Sequence, residues 1–168
     1  HYDELIQMFA ELDQKSWKLV IVGDDALKQN NMKKLEQLIQ DLKMKEKIML
    51  AGKQSDVDRY YNRSKIFAFT SSSEGFPNVI GEAMTAGLPV IAYDCVAGPS
   101  DLIDDSHSGY LVPLHDTKAY KLKLKRLMED EELRLQMGEK GQRNIKKYSL
   151  EAIGHKFQKA IIGADTSN

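Results

Sequence analysis

Five short aliphatic runs recur along the chain, each separated from the next by a helical pattern, and that alternation constrains the fold more than any other feature. The runs are 17–23 (WKLVIVG), 47–50 (KIML), 66–70 (IFAFT), 89–93 (PVIAY) and 109–112 (GYLV). None alternates cleanly between apolar and polar residues, so each predicts a strand covered on both faces. Between them lie apolar stripes at helical spacing, such as Leu5, Ile6, Phe9 and Leu12, and then Leu35, Leu38, Ile39 and Leu42. Shorter helices are predicted over 56–63, over 77–86 with Gly87 closing it, and near Leu102 after the Gly98-Pro99 turn. From Thr117 onward the pattern is only helical, over 118–129, 131–147 and 150–162, with Asp130 and Ser149 as N-cap candidates. Strands alternating with helices predict an α/β fold with a doubly wound, Rossmann-like parallel sheet. Ligands of such sheets bind outside the carboxyl ends of the strands, which singles out the loops after Val22, Leu50, Phe69 and Tyr93.

A length of 168 residues suits one domain spanning 1–168 with a core of its own. A net charge of -1 and a pI near 6.5 give no electrostatic reason to expect nucleic acid as a partner. The single cysteine, Cys95, excludes an internal disulfide. The four histidines (His1, His107, His115, His155) are scattered without ligand spacing, so no metal is expected. The longest aliphatic run, Leu19 to Val22, falls far short of the roughly 20 residues of a membrane helix. No signal peptide is present, and the chain opens at His1 inside a helical pattern, as a truncated protein would. The basic run Lys118, Lys121, Lys123, Lys125 and Arg126 reads as a solvated helix face, with contact to an anionic membrane surface as the alternative.

The segment from Ser73 to Met84 carries the chemistry. It leaves a strand and enters a helix, with Pro77 suited to the first turn. The free amides that follow face outward with a partial positive charge behind them, an arrangement suited to phosphate. Glu82 lies four residues after Asn78 and three after Val79, on one helix face, where a carboxylate matches the two hydroxyls of a vicinal diol. Glu74 in the preceding loop is placed to accept from a hydroxyl of a second sugar ring, and Gly75 and Gly81 permit close approach. Read singly, Glu82 is a solvated mid-helix carboxylate, Glu74 a favourable charge at a helix start, and Phe76 a hydrophobic lid.

Read together, the run from Glu74 to Asp94 (EGFPNVIGEAMTAGLPVIAYD) resembles the E-x7-E signature of retaining glycosyltransferases of family 4, which have the GT-B fold. The resemblance continues through 98–103 and 109–113, reaches back to 19–24, and covers nearly the whole chain. It implies the C-terminal, nucleotide-sugar-binding half of such an enzyme. Glu82 would bind the ribose, Glu74 would sit at the donor sugar near the reacting carbon, and the backbone of Gly75, Phe76, Pro77, Asn78 and Val79 would contact sugar and diphosphate. Gly52 and Lys53, with Gln54, would lie beside the base. The implied ligand is a UDP-sugar, with GDP- or ADP-sugars as alternatives, and no cofactor or metal.

The acceptor, a glycan or lipid-linked sugar, would bind an N-terminal domain absent from this sequence. The expected setting is surface polysaccharide or lipopolysaccharide synthesis, in the cytoplasm or peripherally at the inner face of the membrane. The family also has one more central strand, between those at Leu19 and Ile66, whose following loop bears an Arg and a Lys that neutralise the diphosphate. Without it the chain is expected to borrow a strand from another copy, collapse its sheet, or need upstream residues. Weak donor binding and no transfer are expected of the chain alone. An epimerase or phosphorylase of the same fold, or a non-catalytic binding module, are the alternatives.

Overall fold

A computed structural model describes residues 1–12, 14–23, 31–73, 77–96 and 98–148. Its strands are β1 (Leu19–Val22), β2 (Ile48–Gly52), β3 (Phe67–Phe69), β4 (Val90–Asp94) and β5 (Gly109–Pro113). The helices are α1 (Tyr2–Glu11), α2 (Asn31–Asp41), α3 (Asp58–Tyr61), α4 (Asn78–Thr85), α5 (Pro99–Leu102), α6 (Thr117–Glu129) and α7 (Glu131–Ile145). Every strand pair is parallel, and helices cover both faces, as predicted for a Rossmann-like fold. The helix expected to end at Lys147 gives way after Ile145 to a 3-10 turn, Lys146–Tyr148. The helix expected over 150–162 lies outside the described residues.

Strand β4 organises the packing. Val90, Ile91, Ala92 and Tyr93 are all fully buried, because successive side chains point to opposite faces and both faces are covered. Val90 and Ala92 enter a core with Ile80, Ala83 and Met84 of α4 and with Leu102 and Ile103. Ile91 and Tyr93 enter the other, with Leu5, Ile6 and Phe9 of α1 and Tyr120, Leu124 and Leu127 of α6. Inside that second core the Tyr120 hydroxyl donates to the Ile91 carbonyl at 3.0 Å. Asp130 caps α7 as predicted, accepting from the Leu133 amide at 2.9 Å.

The sheet is not continuous. β1 pairs with β2, and β4 lies between β3 and β5, but β1 and β3 do not pair with each other. Between their edges lies a cavity of about 1140 Å³, lined by 16–23 on one side and 63–71 on the other. Leu5, Phe9, Leu124 and Met128 of α1 and α6 line it too, as do Val57 and Tyr61 at α3. The space is therefore a slot through the sheet, flanked by the helical layers; the sheet has not collapsed.

Close approach requires one glycine and backbone conformation favours another. A Cβ on Gly138 of α7 would lie 2.1 Å from the Gly87 carbonyl oxygen, where Gly87 (φ 77) closes α4. Gly138→Ala therefore gains at most about 1 kcal/mol of helix propensity and forces α7 off α4. We expect a net loss of about 1–3 kcal/mol in urea unfolding. Gly52→Ala, where φ is 66 but no atom lies within 4 Å, is expected to lose only about 1 kcal/mol, from backbone strain alone.

Candidate functional site

At the carboxyl ends of the strands the slot opens beside α4. Pro77 is the N-cap of this helix (φ −81, ψ 78) rather than its first helical residue. Its carbonyl takes up the Ile80 amide at 2.9 Å and the Gly81 amide at 3.4 Å. The amides of Asn78 and Val79, at the start of the helix, have no intrahelical acceptor by construction. Pro77 is itself buried against the next loop: a Cβ on Gly98, whose φ is 130, would lie 2.4 Å from Pro77 Cδ. That wedge joins the β3–α4 and β4–α5 connections at one edge of the sheet.

Glu82 and Val79 both line the slot, and Val79 keeps 40% of its surface exposed, so the shared helix face is open as the spacing required. Lys53 and Gln54 line the same space from the end of β2. Gly52 precedes them at φ 66, and its carbonyl accepts from the Gly23 amide at 3.0 Å, which closes the ends of β1 and β2 together. Asn78 is exposed at the helix start. Glu74, Gly75 and Phe76 lie outside the described residues. Gly81 does not make room for a ligand: the nearest atom to a Cβ there is Ile145 Cδ1 of α7, at 3.4 Å.

Tyr61 is the contact that sequence reasoning missed. Its hydroxyl donates to Glu82 Oε2 at 2.9 Å and lies 3.5 Å from the Val79 carbonyl. Burial, then the hydrogen bond to Glu82, pushes the phenol well above its ordinary value, so it remains a neutral donor. The pair commits one oxygen of Glu82, a residue that lines the slot. A carboxylate so held, beside a helix start with free amides, can accept from a vicinal diol and leave the amides for an anion. No local pattern announces Tyr61, because its partner is 21 residues away.

The histidines and the basic run meet different outcomes. Among the described residues, His1, Glu4 and His115 come together although the sequence separates them. The basic run on α6 is largely paired: Lys121 with Glu11, Lys123 with Asp105 at 3.3 Å, and Lys125 with Glu129 at 3.7 Å. That pairing fits a solvated face. No helix among the described residues is long and apolar enough to cross a membrane.

The family model for glycosyl transferases group 1 matches residues 1–144. An exopolysaccharide phosphotransferase of Streptomyces coelicolor is 34% identical over 90% of this chain, the match covering 16% of that protein. A Campylobacter jejuni N-acetylgalactosaminyltransferase acting on a diphospho-undecaprenol-linked sugar is 31% identical over 95% of this chain and 42% of its own length. A point mutant of Staphylococcus aureus TarM, solved with fondaparinux, α-GlcNAc-glycerol and UDP, superposes with a TM-score of 0.85 at 29% identity, over 94% of this chain and 32% of TarM. The chain thus spans less than half the length of these relatives.

Removing the phenol oxygen while keeping the ring separates the roles at this site. Tyr61→Phe should leave the fold intact and cost about 0.5–1.5 kcal/mol, the worth of one hydrogen bond. Urea unfolding of both chains measures it. Unchanged stability would mean that the phenol oxygen contributes nothing to holding Glu82.

Proposed function

The chain belongs to the glycosyl transferases group 1 family, and from that membership we propose that it is the donor-binding half of a retaining glycosyltransferase of family 4. The parent enzyme would move a hexose from a UDP-sugar to a glycan or lipid-linked acceptor in surface polysaccharide or lipopolysaccharide synthesis, at the cytoplasmic face of the membrane. Family membership favours transfer over the epimerase, phosphorylase and non-catalytic readings.

The observation that carries the reading is Glu82, held by Tyr61 and lining a slot that opens beside the start of α4. In this reading Glu82 accepts from both ribose hydroxyls and the base rests by Gly52 and Lys53. The diphosphate meets the amides of Asn78 and Val79, and Glu74 stands at the donor sugar. As the glycosidic bond breaks, the departing diphosphate gains negative charge, and preorganised donors lower that barrier most effectively. Helix amides supply one part of that stabilisation. The fixed cations would come from residues upstream of His1 in the parent protein, together with a strand that pairs with β1 and β3. Support for that strand comes from the slot and from the position of His1. The His1 carbonyl accepts from Thr70 Oγ1 at 3.1 Å, at the carboxyl end of β3, where a parallel strand in the slot would deliver the chain into α1.

An NMR titration of this chain with UDP, GDP and ADP tests the proposal. Shifts at 52–54 and 77–82 for one nucleotide, weakened tenfold or more by Glu82→Ala, are expected, since hydrogen bonds to a charged group contribute about 1.5–3 kcal/mol. Binding that survives Glu82→Ala unchanged would overturn the assignment. Extending the chain upstream should tighten binding and close the slot, while the unextended chain should transfer no sugar.

A further inference from the structure

A second cluster at the carboxyl edge of the sheet takes no part in the proposed transfer. His1 and Glu4 lie one turn apart at the start of α1, and the turn after β5 brings His115 to them from 111 residues beyond Glu4. His115 Nδ1 lies 2.8 Å and His1 Nδ1 3.5 Å from the same carboxylate atom, Glu4 Oε1. One ligand atom from each residue lies within 4.8 Å of the others. The two imidazole rings meet edge-on, with centroids 4.8 Å apart.

The arrangement is held from behind. Tyr93, fully buried in the sheet, donates its hydroxyl to Glu4 Oε2 at 2.7 Å, which leaves Oε1 as the atom shared by both rings. Ligating carboxylates are commonly oriented by such a hydrogen bond. His115 adopts φ 62, a left-handed conformation that few non-glycine residues take, and the turn that imposes it aims the ring back at α1. Asp3 and Asp116 add negative potential at the same place, where both act on the Tyr93 phenol.

We propose that His1, Glu4 and His115 bind one divalent transition cation of the zinc class, leaving a coordination position open to solvent. Two imidazoles and a carboxylate form a donor set for zinc, cobalt or nickel, whereas calcium and magnesium favour oxygen alone. Tetrahedral zinc with bonds of about 2.0–2.1 Å holds its ligand atoms about 3.3–3.5 Å apart. The 3.5 Å between His1 and Glu4 already fits. The 2.8 Å between His115 and Glu4 is a hydrogen bond; it opens by about half an ångström when the cation replaces the shared proton. So bound, the ion ties the first turn of α1 to the β5–α6 turn.

Calorimetry with zinc sulfate tests this, on the chain with its α-amine acetylated so that the amine and the His1 ring cannot chelate by themselves. One equivalent should bind, and cobalt in its place should give the visible absorption of a tetrahedral site. Glu4→Gln and His115→Ala should each weaken zinc at least a hundredfold, and Tyr93→Phe about tenfold. His107→Ala should change nothing. On the unsubstituted chain, zinc should shift the ring signals of His1 and His115, which reads the site even where a variant fails to fold. Absence of saturable binding below millimolar zinc, or undiminished affinity in a folded His115→Ala chain, would overturn the proposal.

Discussion

A parallel sheet is stable only when both of its faces are covered, and in this chain that requirement falls on β4. Its four innermost residues are fully buried, two in each core, so α4 and α6 pack against opposite faces of the same strand. β3 and β5 hydrogen-bond to its two sides. Gly109 has no Cβ because one would sit 2.5 Å from the Val90 carbonyl oxygen. The strand also ends the apolar region sharply: Tyr93 is buried and Asp94 is exposed. Polar chemistry at the carboxyl edge therefore begins one residue beyond the core, which is why the functional candidates gather there.

The slot between β1 and β3 is the second constraint. Unpaired strand edges leave backbone donors and acceptors that must find water or a partner. The same space is walled by Val79, Glu82, Tyr61 and Lys53, so the proposed donor site and the unpaired edges share one volume. Whatever pairs with β1 and β3 also becomes a wall of the site. Completion of the sheet and occupation of the proposed nucleotide site would thus be coupled, since both draw on the same cavity.

Much of this was legible in the sequence, for physical reasons that also mark where legibility ends. The strands and helices were readable because periodicity is local: Leu5, Ile6 and Phe9 mark one helix face, and an aliphatic run marks a strand, although of the described strands only β4 is covered on both faces, while Val20 of β1 and Met49 of β2 stay exposed. Glu82 and Val79 were readable as neighbours because three residues along a helix is a short, rigid distance. Pro77 was placed one residue too far into α4, because propensity does not separate the N-cap from the first turn. Gly81 looked like room for a ligand or another backbone, and what approaches it is the side chain of Ile145 on a different helix. Tyr61, and the meeting of His115 with Glu4, were invisible for a simpler reason: chain separation carries no signal unless the packing that closes it is known.

The two tyrosines show what that packing contributes. Tyr61 belongs to one core and Tyr93 to the other, and each ends at the carboxyl edge with its hydroxyl donated to a glutamate, Glu82 or Glu4. In both cases burial, then the carboxylate, raises the phenol far above its ordinary value, so it donates a hydrogen bond and carries no charge. An arginine or lysine in the same position would hold the carboxylate as firmly but cancel its charge. A phenol orients one oxygen and leaves the negative charge intact for the ligands proposed here, a diol at Glu82 and a cation at Glu4. The apolar cores thus do more than stabilise the sheet. Each anchors a rigid ring whose polar end aims a carboxylate, and the sheet edge inherits two charged acceptors of defined direction from residues that are themselves buried.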